Sequence, residues 1–342
     1  MTHPSSMSPP DPRSNLDRLL AGQPANPVRA LDMLAVDRRL TTRRSDQASR
    51  AEIAIALNAW LFSDLLARVP TAARHVAELQ NAGERIVFDH GALRTIDGPT
   101  GALPSGYQAF ARLLEPLGYE VGGLYPLPRL NMTGRAFVHA DLPQEIPQFF
   151  VSELHLAELP SAAQDAAVRV FAGSRDPLAA EDLRHLERLR QDGSLPLEPA
   201  RTLLASLAGA FARQHAEPRL DDYETLLAHS REAAWIATEG NAFNHATTRV
   251  PDVKTLAEDL KARGYAMKEA VEVSANGRVR QTAIIADKVL RRFRDPDGGT
   301  ITCEVPGSFY EFISRDIDPA TGILDLTFDS GNATGIFAVT RV

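Results

Sequence analysis

Apolar residues recur along this chain with two alternating periods, and the changes of period divide it into blocks. From residue 16 to 82 they return at three- and four-residue steps, as one-sided helices require. The segments are NLDRLLAG, PVRALDMLAVDRRL and a run from Ser45 to Ala82 broken near Pro70. From about residue 84 the pattern becomes alternating and β-branched: ERIVFDHGALRTI predicts a strand. SGYQAFARLLEPLGYEV predicts a helix with Ser105 as N-cap and Gly118 as its stop. Short strands are expected at GGLYPLP, GRAFVHAD and PQFFVSELH, giving the order β-α-β-β-β.

Residues 157–235 return to helical spacing, as in AAEDLRHLERLR and PARTLLASLAGAFARQ. The strand-helix texture then restarts. NAFNHATTRV predicts a strand and VPDVKTLAEDLKARGYAM a helix. Further strands are expected within YAMKEAVEVSANG, VRQTAIIADKVLRRF and TITCEVPGSFYEFISRD, with a terminal turn and short strands in ILDLTFDSGNATGIFAVTRV. The second unit mirrors the first, and PQFFVSEL laid over GSFYEFIS sets Val151 opposite Glu311. The expected fold is α+β: two βαβββ modules, 84–156 and 236–342, forming a cupped, partly open β-barrel around a metal. A helical cap (16–82) precedes them, a helical insertion (157–235) separates them, and residues 1–15 form a Pro/Ser-rich lead expected to be disordered.

Charge narrows the function classes. A net charge of −7 argues against a general nucleic-acid or anionic-membrane binder. The basic stretch KVLRRFR (288–294) runs into DPDGG and reads as a solvated strand edge. The single cysteine, Cys303, permits neither an intrachain disulfide nor a cysteine-based metal site, which fits a cytoplasmic setting. MTHPSSMSPPDPRSN lacks the apolar core of a signal peptide. The longest apolar stretch, 51–69, carries Glu52, Asn58, Ser63, Asp64 and Arg68, so it predicts an amphipathic surface helix rather than a membrane span.

The candidate chemistry lies in three predicted strands: His90 in IVFDHGALRT, His245 in GNAFNHATTRV and Glu311 in SFYEFISRD. Two histidines and one carboxylate can hold a non-haem Fe(II) while leaving coordination positions open. Both histidine segments have an acidic or amide residue before the histidine and an arginine four residues after it, Arg94 and Arg249. Strand alternation puts His90, Ala92 and Arg94 on one face, His245, Thr247 and Arg249 on the corresponding face, and Phe309, Glu311 and Ile313 together. Arg94 suits a carboxylate; Arg249 suits one less, because Pro251 ends its strand. Gln281 reads equally as an inward polar group or a solvent-facing one. Glu311 sits among aromatics and needs a metal, an arginine or solvent. His185, His215 and His229 fall in helical stretches, His75 on a charged face, and His139 and His155 at strand ends. The pattern alone leaves open whether His90 and His245 are ligands or structural residues.

At these residues the chain resembles the 2-oxoadipate dioxygenase/decarboxylase family, iron enzymes akin to hydroxymandelate synthase within the vicinal-oxygen-chelate superfamily. The resemblance runs from about Glu84 to the C-terminus. It rests on DHGALRT, GYEVGGLYPLPRLNMTGRAFVHADLP, NAFNHATTRV, SFYEFISRD and the terminal ATGIF. It implies Fe(II) held by His90, His245 and Glu311, with Arg94 as the catalytic anchor for a substrate carboxylate. It also implies substrate contacts from His90 and from the 331–334 segment, represented by Asn332. The implied partners are a 2-oxo dicarboxylate, 2-oxoadipate, and O2, with 2-hydroxyglutarate and CO2 as products and neither nucleic acid nor membrane involved. Two alternatives stand beside it: a metal-dependent isomerase or lyase of the same superfamily, and a non-catalytic binding protein.

Overall fold

The structure is a computed structural model that describes residues 13–24, 27–295, 297–329 and 331; for 27–29 it describes the backbone only. The N-terminal block folds as α1 (Asn15–Leu20), α2 (Pro27–Met33), α3 (Arg38–Thr41), a short β1 (Gln47–Ser49), α4 (Arg50–Arg68) and α5 (Pro70–Asn81). The sequence divides α4 from α5 at Pro70, which has no N–H to donate and takes the first position of a new helix. Asn15 begins α1 and Ser14 is its N-cap, forming a capping box with Asp17.

The first module follows as β2 (Val87–Asp97), α6 (Gln108–Leu114), β3 (Tyr119–Leu127), β4 (Met132–His139) and β5 (Gln148–His155). Next come α7 (Ser161–Phe171), α8 (Ala180–Asp192), the short β6 (Ser194–Pro196), α9 (Leu197–Ala210), α10 (Leu220–His229) and α11 (Arg231–Glu239). The second module contains β7 (His245–Arg249), α12 (Val253–Ala262), β8 (Glu272–Val273), β9 (Val279–Ala283), β10 (Lys288–Arg294), β11 (Thr300–Pro306) and β12 (Phe309–Arg315). Its third and fourth expected strands each divide, VRQTAIIADKVLRRF into β9 and β10 and TITCEVPGSFYEFISRD into β11 and β12. β10 and β11 form a separate hairpin, and β10 is largely exposed, as a solvated basic strand should be.

Eight strands make one open, strongly curled sheet in the order β3-β4-β5-β2-β7-β12-β9-β8. Each module contributes four strands in the same arrangement, so the halves are related about the antiparallel β2–β7 seam. Within each half the first strand pairs in parallel with the last: β2 with β5, and β7 with β12. The convex face carries Leu93, Phe149, Val151, Tyr310 and Phe312 into the main core. The concave face carries the candidate chemistry.

Three local expectations give way to long-range packing. α4 is a core helix rather than a surface one: residues 51–62 are buried throughout. Its polar residues are met inside the fold, Glu52 by Arg43 (2.7 Å) and by Asn15 (3.0 Å), and Asn58 by the Tyr119 hydroxyl (2.9 Å). Among the described residues no single helix is long and apolar enough to cross a membrane; α4 and α5 reach that length and composition only as a pair bent by 116°. Ser105 does not cap α6. It bonds the Gly98 N–H and Asp97, while the Glu153 carboxylate accepts the Tyr107 N–H at the helix start. His75 lies buried in an aromatic cage of Tyr265, Tyr310 and Phe312, not on a charged face.

Burial pushes His75, His139 and His215 down to about 4, from an ordinary value of 6.5. The unfolded chain takes up these protons near pH 6.5 and the folded chain resists them until about pH 4. Stability is therefore fully present above pH 6.5 and falls through that window, by up to about 1.4 kcal/mol per pH unit for each histidine. Urea unfolding midpoints measured from pH 7.5 to 4.5 should decline, and His75→Phe should make the decline shallower.

Candidate metal centre

The sheet register converts three distant residues into one cluster. Across the seam His90 lies opposite Thr247 and Ala92 opposite His245, while β12 sets Glu311 beside Thr247. The Nε2 atoms of His90 and His245 stand 3.5 and 3.3 Å from Glu311 Oε2. One ligand atom from each of the three residues lies within 4.8 Å of the others, and all three residues are buried. Ligand atoms held about 2.0–2.2 Å from one ion stand about 3–3.5 Å apart, so this donor set fits a divalent cation. Glu311 Oε1 is buried without a hydrogen-bond partner, and no arginine pairs with the carboxylate among the described residues. A charge so placed calls for a cation. Thr247 Oγ1 bonds both His90 Nε2 (3.0 Å) and Glu311 Oε2 (2.5 Å), filling the space between them with a polar group.

The residue preceding each histidine fixes its ring. Asp89 Oδ2 meets His90 Nδ1 at 2.9 Å, and Asn244 Oδ1 meets His245 Nδ1 at 3.1 Å. Both rings thus donate from Nδ1 and aim Nε2 at the cluster. Asp89 can do this because β2 bulges between Phe88 and His90, which turns two successive side chains toward the concave side. The bulge is invisible in the sequence, but the Asp/Asn position before each histidine is legible there.

Asp89 is also an electrostatic hub. Arg315, on the same face of β12 as Glu311, donates to it from Nε and Nη2 (3.0 Å each), and Arg249 donates from Nε (2.9 Å). Burial opposes ionisation of Asp89, but Arg315, His90 and Arg249 outweigh it and hold the carboxyl well below its usual range. Arg315 Nη1 reaches the carbonyls of Asp325 (3.0 Å) and Thr327 (2.7 Å). This anchors the C-terminal segment so that the Phe328 ring lies against His90, 4.8 Å between centroids. Sequence reasoning singled out neither the role of Arg315 nor those of Thr247 and Phe328.

The two imidazoles diverge. Burial pushes His245 down to about 3, against the pull of Glu311. Burial also opposes a charge on His90, but its bonds to Asp89 and Glu311 prevail and raise it. The difference follows from the neighbours: the Asp89 carboxylate bonds His90, whereas His90 and Arg94 oppose a charge on His245.

Arg94 lines the same cavity as His90, His245 and Glu311. It is 2% exposed, with its guanidinium carbon 5.0 Å above the Trp235 ring, and burial lowers it to about 10 against the favourable field of Glu232. It therefore stays cationic near neutrality. Arg249 is committed to Asp89, and Gln281 lines the cavity. His139 and His155 lie away from the cluster: His139 Nδ1 accepts the N–H of Asp141, and His155 bonds Thr133 and Asp97. His215 sits between α9 and α10 and bonds the Ala237 carbonyl. Asn332 lies outside the described residues.

The register corrects the internal repeat at one point. Relative to its histidine strand, β5 pairs Phe150 with Ala92 as β12 pairs Glu311 with Thr247. Phe150, not Val151, is thus the counterpart of Glu311; Val151 faces the opposite core. A one-residue slip reverses a strand's faces. The symmetric seat for a second carboxylate is filled by a phenyl ring.

Two fused βαβββ modules with a two-histidine, one-carboxylate cluster in the cup define a protein whose duplicated sheet encloses a candidate metal site. The model of the 2-oxoadipate dioxygenase/decarboxylase family matches residues 61–321, and the chain belongs to that family. It is 49% identical to a solved protein of Ralstonia eutropha JMP134 assigned to the glyoxalase superfamily, with a TM-score of 0.88 over 93% of this chain and 99% of that one. The rice (Oryza sativa) hydroxyglutarate synthase, solved with 2-oxoadipate, shares the fold at a TM-score of 0.67 and 20% identity over 98% of each chain. The chloroplastic 2-oxoadipate dioxygenase/decarboxylase of Arabidopsis thaliana is 24% identical over 185 residues, covering 51% of this chain. The chain matches only 42% of that curated relative's length.

Asp89→Asn removes the charge that orients His90 and leaves two arginines short of a partner. Metal affinity, measured by anaerobic Fe(II) titration, should fall about 10- to 100-fold.

Proposed function

We propose that this chain is an Fe(II)-dependent dioxygenase/decarboxylase that converts 2-oxoadipate and O2 to 2-hydroxyglutarate and CO2 in the cytoplasm. The convergence of His90, His245 and Glu311 on one buried point carries the reading. Family membership supplies the substrate class. When bound, Fe(II) supplies the chelating hold on a 2-oxo acid and the electrons that activate O2.

The protein's own groups do the rest. His90 and His245 present Nε2 because Asp89 and Asn244 hold Nδ1. Glu311 provides the single negative charge of the cluster. Arg94, cationic and backed by Trp235, orients a carboxylate of the substrate, so that one C–H faces the reacting centre; such positioning can contribute several kcal/mol to a barrier. Phe150 and Phe328 wall the cavity and keep water from the reacting carbons, while Phe309 stacks on the His245 ring. Phe150 speaks against the isomerase or lyase alternative, which needs a second carboxylate as a base at that position.

An oxygen electrode with a panel of 2-oxo acids, Fe(II) being added anaerobically, tests the proposal. Uptake should be fastest with 2-oxoadipate and absent when zinc replaces iron; turnover without O2 would refute the oxygenase reading. His245→Ala and Glu311→Ala should each abolish iron binding and O2 uptake together. Arg94→Ala should retain iron while KM for dicarboxylates rises at least about tenfold, the worth of one charge-assisted hydrogen bond.

A further inference from the structure

We propose that Asn244 is a substrate-binding residue, its Nδ2 donating a hydrogen bond to a carboxylate oxygen of the acid in the cavity while its Oδ1 orients His245. This deepens the proposed function and rests on it for the identity of the acid. Asn244 is 2% exposed and lines the cavity with Arg94 and Glu311. Because His245 Nδ1 must donate for Nε2 to serve as a ligand, the amide oxygen faces the ring, at 3.1 Å. The amide nitrogen is then left over, and Nδ2 is buried with no hydrogen-bond partner among the described residues. A buried donor in that state is costly unless a ligand meets it.

The backbone sets this donor near the cation that would share the load. Asn244 N–H donates to the Ala92 carbonyl (2.7 Å), and Asn241 Nδ2 donates to the Arg94 carbonyl (2.8 Å), so the 241–244 segment runs along the strand that carries Arg94. The internal repeat explains the choice of residue. At the equivalent place Asp89 has both oxygens occupied by His90, Arg249 and Arg315. An aspartate at 244 would orient His245 equally well but present a negative charge to an anionic ligand. The amide keeps the acceptor and adds a donor.

The test uses the Fe(II)-loaded protein under anaerobic conditions, with oxalate and 2-oxoadipate as probes in calorimetric titrations. Asn244→Asp retains the acceptor for His245 and should bind Fe(II) at least as tightly as wild type to within about threefold, while both acids bind at least about tenfold more weakly. Asn244→Ala adds no charge; it should lose about tenfold or more in Fe(II) affinity. At saturating iron it should also lose about tenfold in affinity for both acids. Wild-type acid affinity in Asn244→Ala at saturating iron overturns the proposal. So does equal loss of iron by both variants, which would leave Asn244 a purely structural role. If wild type binds oxalate but neither binds nor oxidises 2-oxoadipate, the substrate assignment fails and the oxalate comparison still decides the role of Asn244. If wild type binds neither acid, both proposals fall.

Discussion

The antiparallel seam between β2 and β7 is the constraint on which everything else depends. Among the described residues it is the only place where the two modules share backbone hydrogen bonds within the sheet, and it holds both histidines. Sliding it by one residue would send His245 into the aromatic core and break the cluster. The register is held from several sides. Asn244 N–H bonds Ala92, and the missing side chain of Gly91 admits the Phe243 ring; a Cβ there would lie 2.1 Å from it. Phe243 in turn packs on Phe88, Phe149 and Phe211, so the seam is tied to the core behind it.

Around that seam the electrostatics are deliberately unequal. One half supplies Asp89, a buried charge balanced by two arginines, and the other supplies an uncharged amide. Arg315 extends the first half's network outward to the carbonyls of residues 325 and 327. The orientation of a histidine and the placement of the segment that covers it therefore share one guanidinium.

Much of this was legible in the sequence, and the legible part is local. Alternation identified the strands of His90, His245 and Glu311, and the duplicated Asp/Asn-His spacing was visible, though its role in fixing the rings emerges only from the contacts. Arg94, read as a carboxylate anchor, lines the cavity. What escaped the sequence depends on distant contacts. α4 reads as amphipathic because nothing local reveals that Arg43, Asn15 and Tyr119 satisfy its polar residues. The bulge before His90, the separate β10–β11 hairpin and the seating of His75 among aromatics all depend on what other elements place nearby. The overlay of Phe150 and Val151 failed by a single residue, the smallest error an alternating pattern allows.

Phe150 has a wider consequence. In a twofold arrangement two glutamates would face one another and cancel the charge of a divalent ion. Exchanging one for a benzene ring would leave such an ion one unit of positive charge that no carboxylate of the cluster cancels. The duplicated architecture thereby loses its symmetry of charge: one half of the cavity wall carries a carboxylate and the other a phenyl ring.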